Sequence, residues 1–368
     1  MNESLAILHG FESLCAEQKA SALATIIRVS GSSYRRPGAR MLVAGDGRTW
    51  GGVSGGCLEK DVARRGRQVI DSGVADLRRY DTTDDFDSGA ALGCAGLIEI
   101  FIERLSAENP GPLPALRTAQ VHRQTIPLAT IIKPSANGPP AGTRIDLKDA
   151  TSFLNKSLSE FAESGIGGMR SCEGAEVFFE LHRPPQSLVL FGGGPDVVPV
   201  VAIAKALGWH VTVIASHATV GYRDRFSTAD RVAVGTEDDP FGAIAIEPDS
   251  AVVLMTHNYP RDLQLLPSLL AIPLKYLGIL GPRRRAERLV LECPGVAPDA
   301  IQQLHAPVGL DIGAEIPEAI ALSILSEIQA VLAGRSCASL RDRTGPIYAS
   351  DSLLPGMPYH PAACPVSA

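Results

Sequence analysis

The run SLVLFGGGPDVVPVVAIAKALGWHVTVIASH, residues 187–217, limits the possible folds of this chain more than any other stretch. Leu188 to Phe191 is short and wholly apolar, as a strand buried on both faces must be. Gly192, Gly193 and Gly194 follow, then an apolar helix to Leu207 stopped by Gly208, then a second buried strand from Val211 to Ile214. A strand, a glycine turn, a helix and a further strand make a βαβ unit. The second half of the chain is therefore expected to be a Rossmann-like, doubly wound parallel sheet of the α/β class. Such folds seat a pyrophosphate at this turn, on the helix N-terminus, so Gly192, Gly193 and Gly194 are candidate cofactor-binding residues. NAD or NADP fits less well. Val197 stands where the third fingerprint glycine is expected, and the second strand runs into Ala215, Ser216 and His217 with no acidic ribose partner.

The same domain offers a second candidate. SAVVLMTH reads as a third buried strand ending at Thr256-His257, which places His257 at a strand carboxyl end, where open α/β sheets bind ligands. The structural alternative is a histidine bonded to nearby loop backbone. Tyr276 to Leu280 reads as a fourth strand, and Arg283, Arg284 and Arg285 as a solvated helix start or an anion clamp. A closing helix has Pro317 at its first position, Ile320, Ile324 and Ile328 at four-residue spacing, and Gly334 past its end. With a break at Arg183-Pro184-Pro185, the expected domains are 1–183, mixed α+β, and 184–334, Rossmann-like, followed by an irregular tail, 335–368.

The first domain centres on GGVSGGCLEKD, Gly51 to Asp61. Four glycines crowd a turn that presents Cys57 at what reads as a helix start, with Glu59 and Asp61 in the first turn and Gly73 as the stop. Amide groups and the positive end of the helix dipole favour a bound anion there, so Ser54, Gly55, Gly56 and Cys57 are candidate cofactor-binding residues, and Cys57 a candidate metal ligand. The alternative is a small buried cysteine closing a helix-to-sheet contact. Upstream lie a helix from about Leu5 to Gln18, a strand ending at Val29 and the basic loop GSSYRRPGAR. Arg35, Arg36 and Arg40 there are either solvated or turned toward an anion at the glycine turn. Asp46-Gly47 suggests a two-residue hairpin leading into Gly51. Downstream, Gly93 and Cys94 form a second glycine-flanked cysteine, but the separation from Cys57 fixes no distance between the two. Ser106 to Gln120 reads as a connector, Thr151 to Gly167 as a polar helix and AEVFFELH as a strand. The pentapeptide LATII occurs at Leu23–Ile27 and again in PLATIIK. Two apolar strands of similar composition account for it, with a duplicated half-domain as the lesser alternative.

Composition narrows the function classes. At 368 residues and 45% hydrophobic content the chain is long enough for about two cores, and a net charge of −6 offers no broad attraction to nucleic acid or an anionic membrane. The first twenty residues lack the basic-then-apolar order of a signal peptide, which points to the cytoplasm. Seven scattered cysteines without a CxxC pair do not suggest a zinc site or a disulfide framework, and a homodimer is the ordinary expectation for such a chain.

In order, GSSYRRPGARM, GGVSGGCLE, LGCAGLIEIFIE, LVLFGGGPD, the TH after a buried strand, LGILGPRR and GLDIGAEIPEAIALSI resemble the XdhC/CoxI family of accessory proteins for molybdenum hydroxylases, over about Leu5 to Gly334. The resemblance implies a chaperone that binds molybdenum cofactor as cargo, supports its sulfuration and passes it to an apo-hydroxylase such as xanthine dehydrogenase, with a cysteine desulfurase as sulfur donor. Cys57 and Cys94 fall on the family's cysteine motifs, and Gly192 and Gly194 on its Rossmann turn. The chain departs from the pattern in GCAG for the usual GCGG, in Ala215 for an acidic residue, and in Ile316 for a capping threonine. No acid–base pair or triad stands out, which favours a cofactor carrier over an enzyme with its own turnover. An NAD(P)-dependent oxidoreductase is the competing class.

Overall fold

The computed structural model describes residues 3–31, 33–81, 96–145, 161, 167–216, 222–293 and 304–342. The described residues divide into two compact units, one within 3–184 together with 340–342, and one within 185–339.

The first unit opens with helix α1 (Glu3–Ala16), followed by β1 (Ser21–Gly31), β2 (Arg40–Ala44), β3 (Thr49–Gly51), α2 (Glu59–Ser72), β4 (Asp76–Asp81) and β5 (Gly96–Leu105). These strands form an antiparallel sheet in the order β3-β2-β1-β5-β4. Next come α3 (Leu113–Val121), β6 (Ile126–Lys133), β7 (Arg144–Ile145), β8 (Gly168–Cys172) and β9 (Ala175–His182), with a second antiparallel sheet in the order β7-β6-β9-β8. Central strand β1 is buried on both faces from Ser21 to Ile27. Ala24 and Ile26 pack with Val43 and Ile100 beneath Val62 and Val69 of α2, while Leu23, Leu42 and Leu105 meet Ile7, Leu8 and Leu14 of α1. Each such large aliphatic side chain contributes about 1.5–3 kcal/mol on burial, enough to hold α2 in place despite an N-cap, Leu58, with no side-chain cap bond. Gly73 ends α2 in the left-handed region, φ 73°, with its N–H on the Val69 carbonyl.

Two local expectations change, and one strand goes unannounced by the sequence. The β2–β3 hairpin closes with Ala44 N–H on the Arg48 carbonyl and Gly47 at φ 95°, a three-residue loop in which Asp46-Gly47 is preceded by Gly45. The expected connector contains α3, whose proline lies at the start of the helix, where the missing N–H costs nothing. Strand β8, short and half-polar, has no clear sequence signal. Most of the expected helix at Thr151 to Gly167 lies outside the described residues. Of the tail, Leu340–Asp342 form a short 3-10 turn.

The second unit contains β10 (Ser187–Phe191), α4 (Val197–Ala206), β11 (His210–Ser216), α5 (Tyr222–Arg225), β12 (Arg231–Gly235), β13 (Ala251–Leu254), α6 (Tyr259–Leu270), β14 (Tyr276–Ile279), α7 (Arg283–Glu292), β15 (Leu304–His305) and α8 (Pro317–Leu332). Its six strands pair in parallel in the order β12-β11-β10-β13-β14-β15. Numbered within the unit, that order is 3-2-1-4-5-6, the doubly wound arrangement expected from the βαβ run. Val200 and Val201 of α4 and Ile324 and Ile328 of α8 cover one face; Leu265, Leu266, Leu269 and Leu289 of α6 and α7 cover the other. Strand β13 stops at Leu254, so His257 lies three residues past its end rather than in it.

Candidate functional site

Gly51 leaves β3 at φ 76°, and a Cβ there would collide with the Arg40 carbonyl oxygen, so only glycine fits this close approach. The turn that follows is held by carboxylates from two directions. From α1, Glu3 accepts the Gly52 N–H at 2.8 Å and pairs with Arg35, whose guanidinium also donates to the Gly52 carbonyl at 3.1 Å. From the first residue of α2, Glu59 reaches back to accept the N–H groups of Val53 at 3.2 Å and Ser54 at 2.7 Å, and the Ser54 hydroxyl. The Ser54 Oγ in turn accepts the N–H groups of Gly56 at 3.1 Å and Leu58 at 3.0 Å. Burial pushes the Glu59 carboxyl up, but the Ser54 hydroxyl and the amides of Ser54 and Val53 outweigh it and hold the carboxyl below its ordinary range.

Within this frame Gly56 takes φ 117° and Cys57 is exposed. Helix α2 begins at Glu59, so Cys57 sits two residues ahead of the first helical residue, in the turn itself. The expected alternative of a buried packing cysteine is thereby set aside. Among the described residues, the N–H groups of Gly55 and Cys57 have no partner within the chain, so the turn presents a thiol and two amide donors on one short segment. The arginines are arranged otherwise than the sequence suggested. Arg35 is engaged by Glu3 and Gly52, and Arg40 is buried against Glu180 and donates to the Gly38 carbonyl at 2.9 Å, so neither is a free anion clamp at the turn. Gly93 and Cys94 lie outside the described residues. Among the described residues no three His, Cys, Asp or Glu side chains gather as a metal site.

In the Rossmann unit, a Cβ at Gly192 would lie 2.5 Å from the Met255 carbonyl oxygen, which explains a glycine between β10 and α4. The turn brings Gly192, Gly193 and Gly194 to His257 through a residue that the sequence reading passed over. Asp196, the N-cap of α4, binds His257 Nε2 at 2.8 Å, while Arg225 donates to the Gly193 carbonyl at 2.6 Å. His257 itself is exposed and held at φ 54°. Two features oppose a pyrophosphate here. Pro195 offers no amide to the turn, and the Asp196 carboxylate, bonded to His257, sets a negative charge beside it that repels an anion. Arg285 is likewise committed, to buried Asp262 at 2.7 Å, and Asp262 also accepts the Thr256 hydroxyl at 2.5 Å. The basic run at Arg283 is thus the start of α7, with one of its guanidiniums turned inward.

A Rossmann unit joined to an antiparallel α+β unit that offers a cysteine on a glycine turn defines a narrow class of protein, and comparison with known sequences specifies it. Residues 188–328 match the family model described as the XdhC Rossmann domain, and residues 14–81 that of the XdhC and CoxI family. The chain is 31% identical over 330 residues to a probable xanthine dehydrogenase subunit of Bacillus subtilis (strain 168), across 86% of this chain and 94% of that relative. It is 28% identical over 316 residues to the molybdenum cofactor insertion chaperone PaoD of Escherichia coli (strain K12), across 85% and 84% of the two chains. The crystal structure of a xanthine dehydrogenase from Bacillus halodurans superposes with a TM-score of 0.73 at 29% identity, over 91% of this chain and 98% of that one. This chain belongs to the XdhC/CoxI family.

Proposed function

We propose that this protein is an accessory chaperone that binds molybdenum cofactor as cargo, supports its sulfuration and delivers it to an apo molybdenum hydroxylase of the xanthine dehydrogenase kind. The observation that carries the reading is the Cys57 turn, an exposed thiol beside two unpaired amides on a segment braced by Glu3, Ser54 and Glu59. A thiolate is a soft ligand suited to a thiophilic metal, and the amides suit an anionic oxygen or phosphate. Cys57 has no metal-ligating cluster around it among the described residues, so a metal held there keeps its remaining ligands from the cargo. The names of two relatives, a cofactor insertion chaperone and a probable xanthine dehydrogenase component, support the same role. Gly93 and Cys94 are proposed as a second thiol-bearing contact. Gly192 to Gly194 and His257 are proposed as a further contact for the cargo, with NAD(P) disfavoured by Asp196 and Pro195. A cysteine desulfurase as sulfur source, a homodimer and a cytoplasmic setting complete the proposal; among the described residues no helix is long and apolar enough to cross a membrane.

The test is reconstitution of an apo-hydroxylase with purified cofactor and either the natural protein or its Cys57→Ala variant. An exposed side chain with no hydrogen bond costs about 0.5 kcal/mol or less on removal, so the fold should persist while activation is lost. Full activation by Cys57→Ala, with an unchanged Tm, would assign the turn a structural role only.

A further inference from the structure

The repeated LATII has a physical context that composition did not reveal. In β1, Thr25 faces Arg40 on β2 and Phe101 on β5, while Leu23 faces Glu103. In β6, Thr130 faces Arg144 on β7 and Phe178 on β9, while Leu128 faces Glu180. Both ladders shift register at the corresponding point, Ile26/Arg28 and Ile131/Lys133. The residue past each shift pairs with the facing glutamate, Arg28 with Glu99 and Lys133 with Glu176. The approach to the second strand also repeats. Gly38 N–H donates to the Ile26 carbonyl at 2.8 Å and Gly142 N–H to the Ile131 carbonyl at 2.7 Å, and Arg40 and Arg144 donate to the carbonyls of these two glycines. Strand orders β2-β1-β5-β4 and β7-β6-β9-β8 are the same, and β1 and β6 each begin five residues after the end of a helix. Two apolar pentapeptides that matched by chance would not share partners on both flanks, a bulge and a turn.

Where the two sheets meet, their ion pairs are exchanged: Arg40 of the first bonds Glu180 of the second, and Arg144 of the second bonds Glu103 of the first. Ile27 and Phe101 pack with Ile132 and Phe178 in one cluster. Reciprocal contact of this kind is what a two-fold axis imposes, residue i on j and j on i. We infer that residues 3–182 are two copies of one unit, α1 to β5 and α3 to β9, packed about an internal pseudo-two-fold axis, and that the second copy is a partner supplied in cis to a first copy that alone carries the cysteine loops. In the second copy, β8 and β9 are joined by Glu173-Gly174, both at positive φ as a tight hairpin turn needs. The matching join between β4 and β5 is residues 82–95, with Gly93-Cys94. Between β7 and β8 the sequence contains no cysteine, whereas the corresponding stretch of the first copy holds Cys57. The second copy thus serves as an internal control: what it shares with the first is needed for the fold, and what it lacks is an addition. This inference does not depend on what the cysteines bind.

Two experiments on the full-length chain test it by thermal melting. Inverting the charges of one copy, R40E with E103R or R144E with E180R, sets like charges against each other across the axis and should lower the Tm by several degrees in either case. Combining all four substitutions should recover most of the loss, because the exchanged pairs are restored with reversed sign. A quadruple variant no more stable than the doubles, or a double variant as stable as the natural chain, would overturn the exchange. The second experiment replaces residues 81–97 by Glu-Gly, so that Tyr80 and Ile98 flank a turn as Cys172 and Ala175 do. The shared register predicts a folded, cooperatively melting protein, and aggregation or loss of cooperative melting would show that the loop belongs to the fold and overturn the two-copy account.

Discussion

Removing the Glu59 carboxylate should loosen the Cys57 turn without touching Cys57. Glu59 accepts two backbone amides, at 3.2 and 2.7 Å, and the Ser54 hydroxyl, which itself holds the amides of Gly56 and Leu58. An amide left unpaired costs about 1–3 kcal/mol when water cannot replace its partner. Glu59 is half-buried, so water recovers part of this, and Glu59→Ala should cost about 1–2 kcal/mol. For a unit of this size that is a fall in Tm of about 2–8 °C. Glu59→Gln isolates the charge. Because the folded carboxyl is held below its ordinary range, its stabilising contribution is complete above the unfolded value of about 4.3 and is lost as pH falls through the folded value. The Tm difference between the natural protein and Glu59→Gln should therefore be constant from pH 7 to about pH 5 and shrink in stronger acid. Melting curves across pH, with amide exchange read at Gly52 to Leu58, make the assay. An unchanged Tm and unchanged exchange in Glu59→Ala would refute the bracing role.

Two further outcomes follow from the same geometry. Gly51→Ala and Gly38→Ala both force a non-glycine residue to positive φ, a penalty of about 1–2 kcal/mol, but only at Gly51 does the new Cβ strike the Arg40 carbonyl; nothing lies within 4 Å at Gly38. Gly51→Ala should thus lower the Tm clearly more, and equal losses would contradict the close approach. Titration calorimetry with NAD should show weak or no binding, with Asp196→Ala improving the affinity for an anion; submicromolar NAD binding to the natural protein would revive the oxidoreductase reading.

What the sequence showed well was local. The apolar runs and glycines around Gly192 are punctuation within a single βαβ unit, and the strand order of the Rossmann sheet follows from that pattern and from right-handed connection. Pro317 and Gly73 mark helix ends for equally local reasons. What it hid depends on partners far away in the chain. Arg40 reads as part of a basic loop until Glu180 is seen against it, and Arg35 until Glu3 is. Asp196 sits in plain view after the glycine turn, yet its role depends on His257 arriving from another strand end. Glu59 was legible as an acid in the first turn of α2, but not its reach back over its own turn to the amides of Val53 and Ser54. The LATII repeat stayed ambiguous because pentapeptide identity carries little weight until the flanking partners repeat as well.

The most direct measurement of the central claim is the pterin content of the full-length protein purified from a molybdenum-replete host, read as fluorescence after acid release and oxidation. The account predicts bound pterin in the natural protein and a marked loss in Cys57→Ala of equal Tm. A pterin-free natural protein that also fails to take up added cofactor would contradict it.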